Sequence, residues 1–296
     1  MEVSKVSMAP GGPLFSEIIQ GYWRMSSWNR TPQEHLRYLE QALEQGVSTV
    51  DHAPVYQSEA LFGRVLNLDP SVRSKIEIIS KCGIIPGVGK AVDHYDSSAD
   101  AIISSVEKSL SNLNTDYLDT LLLHRPDYLM NPDEAAEAFT KLWDEGKVKH
   151  FGVSNFSESQ FTLLQARLPY SLISNQTELN PLNFECIENG VLDQLQRFRI
   201  RPMAWSCLAG GRLLTQESEQ VNRLIVVLND LKEELGATSV EAVVYAWVRK
   251  HPSRPLVMVG SSKIDRLKLA VESVKLEMST EQWYRVLEAS NGHGVA

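Results

Sequence analysis

Four residues with catalytically useful side chains lie at or near the ends of apolar, β-rich runs. Asp51 and Lys81 lie near the ends of two such runs, His124 ends a third, and Tyr56 follows Asp51 by five residues. A phenol with a pKa near ~10 is a poor proton donor at neutral pH, but an ammonium group lowers that pKa and a carboxylate keeps the ammonium charged. A histidine beside the phenol can hold a substrate oxygen while negative charge develops on it during hydride transfer. Together the four residues predict a site in which a phenol donates a proton to a substrate oxygen.

Each of these residues, taken alone, has a simpler explanation. Asp51 and Lys81 could form a structural ion pair, Tyr56 could be an ordinary half-buried aromatic residue, and His124 could be a hydrogen-bonded strand end. The catalytic interpretation therefore depends on their combination in one pocket.

The elements that must position these residues are eight short apolar runs separated by amphipathic helical stretches. The runs cover residues 16–22, 48–53, 76–82, 118–124, 148–154, 172–178, 201–207 and 255–261. No linker or change in composition divides the chain, so residues 1–296 are predicted to form one domain, an α/β fold of the (β/α)8 TIM-barrel type. An open doubly wound sheet is the main competitor, but no strand is followed by a GxGxxG turn. Barrel enzymes place their active sites at the carboxyl ends of the strands.

Helix signals support the same alternation of strands and helices. Thr31, Pro32 and Gly46 suit the cap, first turn and end of a helix, and the segment 132–146 repeats this Pro-to-Gly pattern. The GGP turn before Ser16 predicts a short N-terminal hairpin at the bottom of the barrel, and an extra helix is predicted at the C-terminal end.

Composition excludes several classes of partner. The net charge is −8 with no run of basic residues, so neither nucleic acid nor an anionic membrane surface is an expected partner. No signal-like or membrane-spanning apolar stretch is present, and the three widely spaced cysteines predict reduced thiols. The histidines lack metal-binding spacing, so no metal site is expected. We therefore expect a soluble, cytoplasmic monomer that acts on a small molecule.

Six ordered segments, DHAPVYQSE, ISKCG, LLLHRPD, GKVKHFGVSNF, NQTELNPL and AWSCLAGG, resemble the motifs of the aldo-keto reductase family. The resemblance extends from about Gly21 to Ser273. It is strongest to the bacterial YdhF-like branch, because of GYWRMSSW and HRPDYLMNPDEAAEAF. It implies NADPH-dependent reduction of an aldehyde or ketone, with Tyr56 as the general acid of a tetrad completed by the aspartate, lysine and histidine named above.

The resemblance also implies NADPH/NADP+ as the cofactor and assigns its contacts to residues after the last four strands. These are Ser154, Asn155 and Gln176 for the nicotinamide carboxamide, Trp205 for ring stacking, Ser206, Leu208 and Gly210 for the pyrophosphate, and Ser261, Ser262, Lys263 and Arg266 at a helix N-terminus. The two basic residues favour NADPH over NADH because they can bind an extra phosphate. A solvated basic helix face is the simpler explanation for that pair.

Some positions depart from the family pattern. His52 replaces a threonine and is predicted to be a core residue or to support the catalytic residues from behind, rather than to be a ligand. Gln57 replaces a glycine, and RLKLAVES lacks the usual Glu-Asn pair that would contact adenine.

The predicted substrate pocket has an aromatic lining. Trp23, Trp28, Tyr95 and Tyr128 follow strands at the catalytic end, and the loop 83–96 is long enough for a partial lid.

Two other functions remain open. A Schiff-base lyase would need Lys81 as an exposed nucleophile, whereas a non-catalytic or slow NADPH-binding sensor would need only the cofactor site.

Overall fold

The computed structural model describes residues 3–296 and contains twelve strands within them. In chain order they are β1 (Lys5–Ser7), β2 (Leu14–Ser16), β3 (Ile18–Gly21), β4 (Thr49–Asp51), β5 (Glu77–Cys82), β6 (Ile84–Ile85), β7 (His94–Tyr95), β8 (Thr120–Leu123), β9 (Phe151–Ser154), β10 (Asn175–Glu178), β11 (Met203–Trp205) and β12 (Leu256–Val259).

The same residues form twelve α-helices. They are α1 (Pro32–Glu44), α2 (Glu59–Leu68), α3 (Ala99–Leu113), α4 (Pro132–Asp144), α5 (Glu158–Gln165), α6 (Glu185–Glu188), α7 (Val191–Phe198), α8 (Arg212–Thr215), α9 (Glu219–Leu235), α10 (Val240–Lys250), α11 (Ile264–Glu272) and α12 (Thr280–Asn291). None of these described helices is long and apolar enough to span a membrane.

Eight parallel strands close into a barrel in the order β3, β4, β5, β8, β9, β10, β11, β12. Closure joins the last strand to the first, with Val257 opposite Ile18 and Val259 opposite Gln20. Each barrel strand lies inside one of the predicted apolar runs, so the predicted (β/α)8 fold is confirmed. The runs are apolar because a barrel strand is covered on both faces, as in β8, where all four residues are buried.

The N-terminal hairpin closes the end of the barrel at which the strands begin. β1 and β2 pair antiparallel, and Met8 and Phe15 are fully buried beneath the barrel. The backbone N–H of Ser16 donates to Thr49 Oγ1 at 2.9 Å, which fixes the hairpin to the start of β4. The predicted hairpin is therefore confirmed.

Local signals set the helix ends. Thr31 caps α1 in a capping box with Glu34, Pro32 occupies the first turn, and Gly46 follows the helix with φ of 80°. The predicted extra helix is α12, which packs on α10 through Trp283. The indoles of Trp247 and Trp283 stack 5.2 Å apart, and each Nε1 donates to the other residue's carbonyl oxygen at 3.1 Å. The C-terminal helix is thus held by both stacking and hydrogen bonds.

Candidate active site

A buried ion pair lies between the carboxyl ends of β4 and β5. Lys81 Nζ donates to Asp51 Oδ1 at 2.6 Å and to the carbonyl oxygen of His52 at 2.9 Å. The side chains of Lys81 and Asp51 are 0% and 1% exposed. A buried charge is costly unless it is paired and hydrogen-bonded, and here the ammonium has both kinds of partner. Its position is therefore rigidly defined.

Gln176, at β10, completes the environment of the carboxylate. Its Nε2 donates to Asp51 Oδ2 at 2.8 Å, so each carboxylate oxygen has a hydrogen-bond partner. The amide oxygen of Gln176 accepts no hydrogen bond from the described residues. Gln176, which was predicted to bind the cofactor, therefore also belongs to the buried hydrogen-bond network. Its side-chain oxygen stays available to accept a hydrogen bond.

Tyr56 reaches this network from a 3₁₀ turn, Pro54–Tyr56. Its Oη lies 3.3 Å from His124 Nε2, and the two rings meet edge-on, 5.5 Å apart. Lys81 Nζ lies 4.8 Å from the centre of the phenol ring. The structure therefore brings the four predicted catalytic residues together. The turn ends at Gln57, whose φ of 55° is in the left-handed region that a glycine adopts more easily.

Burial and local charges set the protonation states of Tyr56, Lys81 and His124. Burial raises the pKa of Tyr56 above its usual value of 10.0, and the nearby ammonium of Lys81 opposes that rise without reversing it. Burial lowers the pKa of Lys81, but Asp51 and Tyr56 together raise it above its usual value. Burial, followed by the charges of Lys81 and Arg125, lowers the pKa of His124 to about 2. At neutral pH the site therefore holds a protonated phenol, an ammonium and a neutral imidazole.

This result corrects one expectation from the sequence. Lys81 does favour the phenolate of Tyr56, but the net pKa of the phenol is raised because burial has the larger effect.

His52 lies in the core beside the site, as predicted. It is fully buried, its Nδ1 is 3.0 Å from Ser58 Oγ, and its ring stacks on Tyr22 at 4.8 Å. Burial lowers its pKa to about 3, so the ring is neutral at physiological pH.

The residues predicted to bind the carboxamide lie together at the ends of β9 and β10. Ser154 Oγ donates to the carbonyl oxygen of Gln176 at 3.0 Å and accepts from Asn155 Nδ2 at 2.8 Å. Trp205 Nε1 donates to Asn155 Oδ1 at 3.1 Å, which orients the indole at the end of β11. Asn155 has φ of 60°, in the left-handed region that asparagine tolerates better than most residues. The amides and the aromatic ring thus form one connected group.

The loop after β11 has an unusual backbone. Ser206, Ala209, Gly210 and Gly211 all have positive φ, between 53° and 99°. A Cβ on Gly210 would have open space, its nearest neighbour being Ser206 Oγ at 3.9 Å. The left-handed backbone therefore favours glycine at this position, although Ser206 and Ala209 adopt the same region nearby. Leu208 is half-buried in the same loop.

The helix predicted after the eighth strand is α11. Lys263 and Arg266 are exposed, and neither forms an ion pair with a described residue. Ser261 Oγ accepts from the backbone N–H of Lys263 at 3.1 Å, and its carbonyl oxygen accepts from Tyr38 Oη at 2.8 Å. Ser262 is half-buried beside them. Both basic side chains are therefore free to bind an anion.

The predicted pocket aromatics differ in their surroundings. Trp23, Tyr95 and Tyr128 are 61%, 39% and 86% exposed. Trp28 is half-buried, and its ring packs on Tyr22, 5.6 Å away, and on residues of α1. The predicted lid carries the small antiparallel hairpin of β6 and β7. Direct contact of these aromatics with substrate stays a prediction.

Arg125 is a charged residue of the site that sequence reasoning missed. It directly follows His124, and its guanidinium carbon lies 5.7 Å from the centre of the Trp205 ring. After burial and Lys81, its charge contributes to the lowered pKa of His124, and it weakly opposes the rise that burial causes in the pKa of Tyr56. The signal was present in the HRPD motif, in which Asp127 anchors the loop by accepting from Ser97 Oγ at 2.7 Å. Within residues 3–296 no cluster of three or more His, Cys, Asp or Glu side chains could hold a metal ion.

Comparison with known proteins gives a consistent result. A model of the aldo/keto reductase family matches residues 17–291. Oxidoreductase YdhF of Escherichia coli (strain K12) is 49% identical over 99% of each chain. A 6-dehydroglucose reductase of Agrobacterium fabrum is 36% identical over 95% of this chain and 96% of its own. The glycerol dehydrogenase of Gluconobacter oxydans, at 23% identity, shares the fold, with a TM-score of 0.85 over 99% of this chain and 97% of its own. With its closed barrel and full-length relatives, this chain belongs to the aldo/keto reductase family of oxidoreductases.

Proposed function

We propose that this protein uses NADPH to reduce an aldehyde or ketone to an alcohol, with Tyr56 as the general acid. The observation that carries the proposal is the contact of Tyr56 Oη with His124 Nε2 beside the buried pair of Lys81 and Asp51. Bound NADPH would supply the hydride that reduces the carbonyl carbon. The protein's own residues would bind the carbonyl and deliver the proton.

The proton comes from the phenol of Tyr56. Because burial keeps its pKa above the usual value, the phenol retains its proton until negative charge develops on the carbonyl oxygen. Proton transfer leaves a phenolate, which the ammonium of Lys81 stabilises. Asp51 and the carbonyl oxygen of His52 keep that ammonium in place. The lysine therefore acts mainly on the product of proton transfer.

His124 orients the carbonyl. Its ring is neutral at physiological pH, so it can donate one hydrogen bond without competing as an acid. A carbonyl oxygen bound by both His124 and Tyr56 would receive two hydrogen bonds that strengthen as charge develops.

The residues around the nicotinamide position fit the cofactor. Ser154, Asn155 and Gln176 present both donors and acceptors, which a carboxamide requires, and Trp205 offers a ring for stacking. The unpaired cations Lys263 and Arg266 fit the 2′-phosphate, which NADPH has and NADH lacks. Ser206, Leu208 and Gly210 would meet the pyrophosphate, with Ser261 and Ser262 nearer the helix N-terminus.

The alternative of a Schiff-base lyase has little support from the geometry. Lys81 has no solvent-exposed surface and is charged, whereas such a nucleophile must be neutral and accessible. The relative called a 6-dehydroglucose reductase favours carbonyl reduction and suggests sugar-derived aldehydes as one substrate class to test.

Steady-state turnover tests this function. The oxidation of NADPH and of NADH is followed with a panel of small aldehydes, ketones and sugar-derived aldehydes. The proposal expects turnover that is faster with NADPH at limiting cofactor. Tight NADPH binding with no turnover of any carbonyl would instead support the sensor alternative.

A further inference from the structure

Three arginines converge on a cavity at the end of the barrel opposite the candidate active site. The cavity has a volume of about 330 Å³ and is lined by Arg201, Arg249 and Arg254, together with Glu17 and apolar residues of the hairpin and β12. It lies where the strands begin, since Glu17 directly precedes β3. None of the residues proposed for catalysis or cofactor binding borders it.

One of the three positive charges is neutralised within the cavity. Arg249 Nη2 pairs with Glu17 Oε2 at 2.5 Å, and its Nη1 donates to the carbonyl oxygen of Ser273 at 3.0 Å. Among residues 3–296, Glu17 is the only carboxylate of the lining, so a local charge of about +2 is left on Arg201 and Arg254. This excess occurs in a chain whose net charge is −8.

Arg201 is held in place without a carboxylate partner from the described part of the chain. Its Nε donates to the carbonyl oxygen of Ser7 at 3.1 Å, and its Nη1 lies 3.5 Å from the carbonyl oxygen of Arg254. Burial, followed by the charge of Arg254, lowers the pKa of Arg201. The guanidinium stays charged in proteins, so like charges are held together at a cost in stability.

Arg254 has a free guanidinium. Among the described residues it forms no ion pair and no side-chain hydrogen bond, while its backbone has φ of 51° in the left-handed region. Arg249 and Arg254 also border an adjoining groove of about 880 Å³ that contains Lys250, His251 and, on its wall, Glu277. A ligand could therefore place an anionic group in the cavity and an organic part in the groove.

We propose that this cavity binds a tetrahedral dianion, namely phosphate, either free or as the ester group of a small metabolite. Arg201 and Arg254 bind the anion, while Arg249 stays paired with Glu17. The planar guanidinium matches two oxygens of a phosphate, and the anion would relieve the repulsion between the arginines. The site is separate from the proposed cofactor site and does not depend on the proposed function.

Isothermal titration calorimetry tests the site with inorganic phosphate and with glucose 6-phosphate, at an ionic strength held constant with chloride. NADP+ is present in excess to cover the proposed cofactor site, and a parallel series without NADP+ uses the Arg266→Gln variant. Saturable binding is expected, at least tenfold weaker in Arg254→Gln and unchanged in Arg64→Gln, a control at an exposed arginine of α2. Tighter binding of the ester than of phosphate would identify a phosphorylated metabolite, and equal affinity would identify free phosphate.

Thermal unfolding separates a ligand site from a structural role. Without phosphate and at low ionic strength, Arg254→Gln is expected to unfold at the same temperature as the wild type or higher, because repulsion is relieved. Added phosphate should raise the midpoint of the wild type and of Arg64→Gln but not that of Arg254→Gln. Equal phosphate effects on both variants, or tighter binding of succinate than of phosphate, would overturn the proposal.

Discussion

The catalytic group and the N-terminus of α11 lie at the same end of the barrel but are built in opposite ways. Lys81 and Asp51 are almost completely buried, and both have hydrogen-bond partners within the protein. Lys263 and Arg266 are exposed and have no ion-pair partner among the described residues.

The difference corresponds to two kinds of task. A proton donor must be held in one position before the carbonyl arrives, and burial with hydrogen bonding provides that rigidity. A cationic side chain that binds a phosphate does not need to be held rigidly before the ligand arrives. It can stay solvated until then, and its exposure makes it accessible to the phosphate. Substitutions of Lys81 or Asp51 should therefore change both catalysis and stability, whereas substitutions at the N-terminus of α11 should change cofactor affinity alone.

The largest effect is expected from Tyr56→Phe. The change removes one hydroxyl and keeps the ring, so packing is preserved and proton delivery is lost. Turnover should fall by about 10²- to 10⁴-fold, the range typical of a general acid, while NADPH affinity stays nearly constant. Stopped-flow turnover and fluorescence titration of NADPH measure the two quantities.

An isotope effect from deuterated NADPH is the control, because slow product release could mask a loss in the chemical step. Retention of more than a tenth of wild-type turnover, with chemistry shown to limit the rate, would falsify the role of Tyr56.

Lys81→Met should reduce both turnover and stability. It removes the cation that stabilises the phenolate and leaves the carboxylate of Asp51 buried without its charge partner, at a cost of roughly 3–5 kcal/mol in the free energy of unfolding. Asp51→Asn should produce a milder loss of turnover. Denaturant unfolding and kinetics check both variants. A fully active and stable Lys81→Met protein would show that the ion pair is unimportant.

Arg266→Gln should weaken NADPH binding by about 1.5–3 kcal/mol and leave NADH binding almost unchanged. Only NADPH has a 2′-phosphate, so only NADPH loses a charge-assisted hydrogen bond to the arginine. Fluorescence titration with both cofactors measures this difference, with Arg64→Gln as the matched control. Equal losses for the two cofactors would contradict the assignment. The free energy of unfolding of Arg266→Gln should equal that of the wild type, in contrast to the loss expected for Lys81→Met.

The smallest effect concerns pH. The acid must be protonated, and burial raises the pKa of Tyr56, so kcat/KM should fall only as pH rises through a value above the usual 10.0. His124 is neutral above a pKa of about 2 and should add no inflection near neutrality. We therefore expect kcat/KM to be flat from about pH 6 to about pH 9. An inflection near the usual histidine pKa would show that His124 titrates during catalysis.

Most of the barrel could be predicted from the sequence because its strands are covered on both faces. Residues 121–123 are three consecutive leucines for that reason, and Thr31 and Pro32 are local signals that need no partner elsewhere. The positions of Asp51, Lys81 and His124 followed from the rule that barrel sites lie at the carboxyl ends of strands.

What could not be predicted depends on contacts between distant residues. The hydrogen bond from Gln176 to Asp51 joins residues 125 positions apart, and no local pattern indicates it. The raised pKa of Tyr56 depends on the balance between burial and the charge of Lys81, which composition does not reveal. Trp28 was predicted as pocket lining, but its packing on Tyr22 and α1 depends on how the loop folds back.

The pairing of β12 with β3 has a consequence for synthesis of the chain on the ribosome. The barrel closes where residues 18–20 of β3 pair with residues 257–259 of β12. During translation, β3 can pair with β4 early, but its second edge stays open until the final strand has emerged. A nascent chain that ended before β12 would expose an unpaired, apolar strand edge, the kind of surface that promotes aggregation. The barrel can therefore close only after nearly the whole polypeptide has been synthesised.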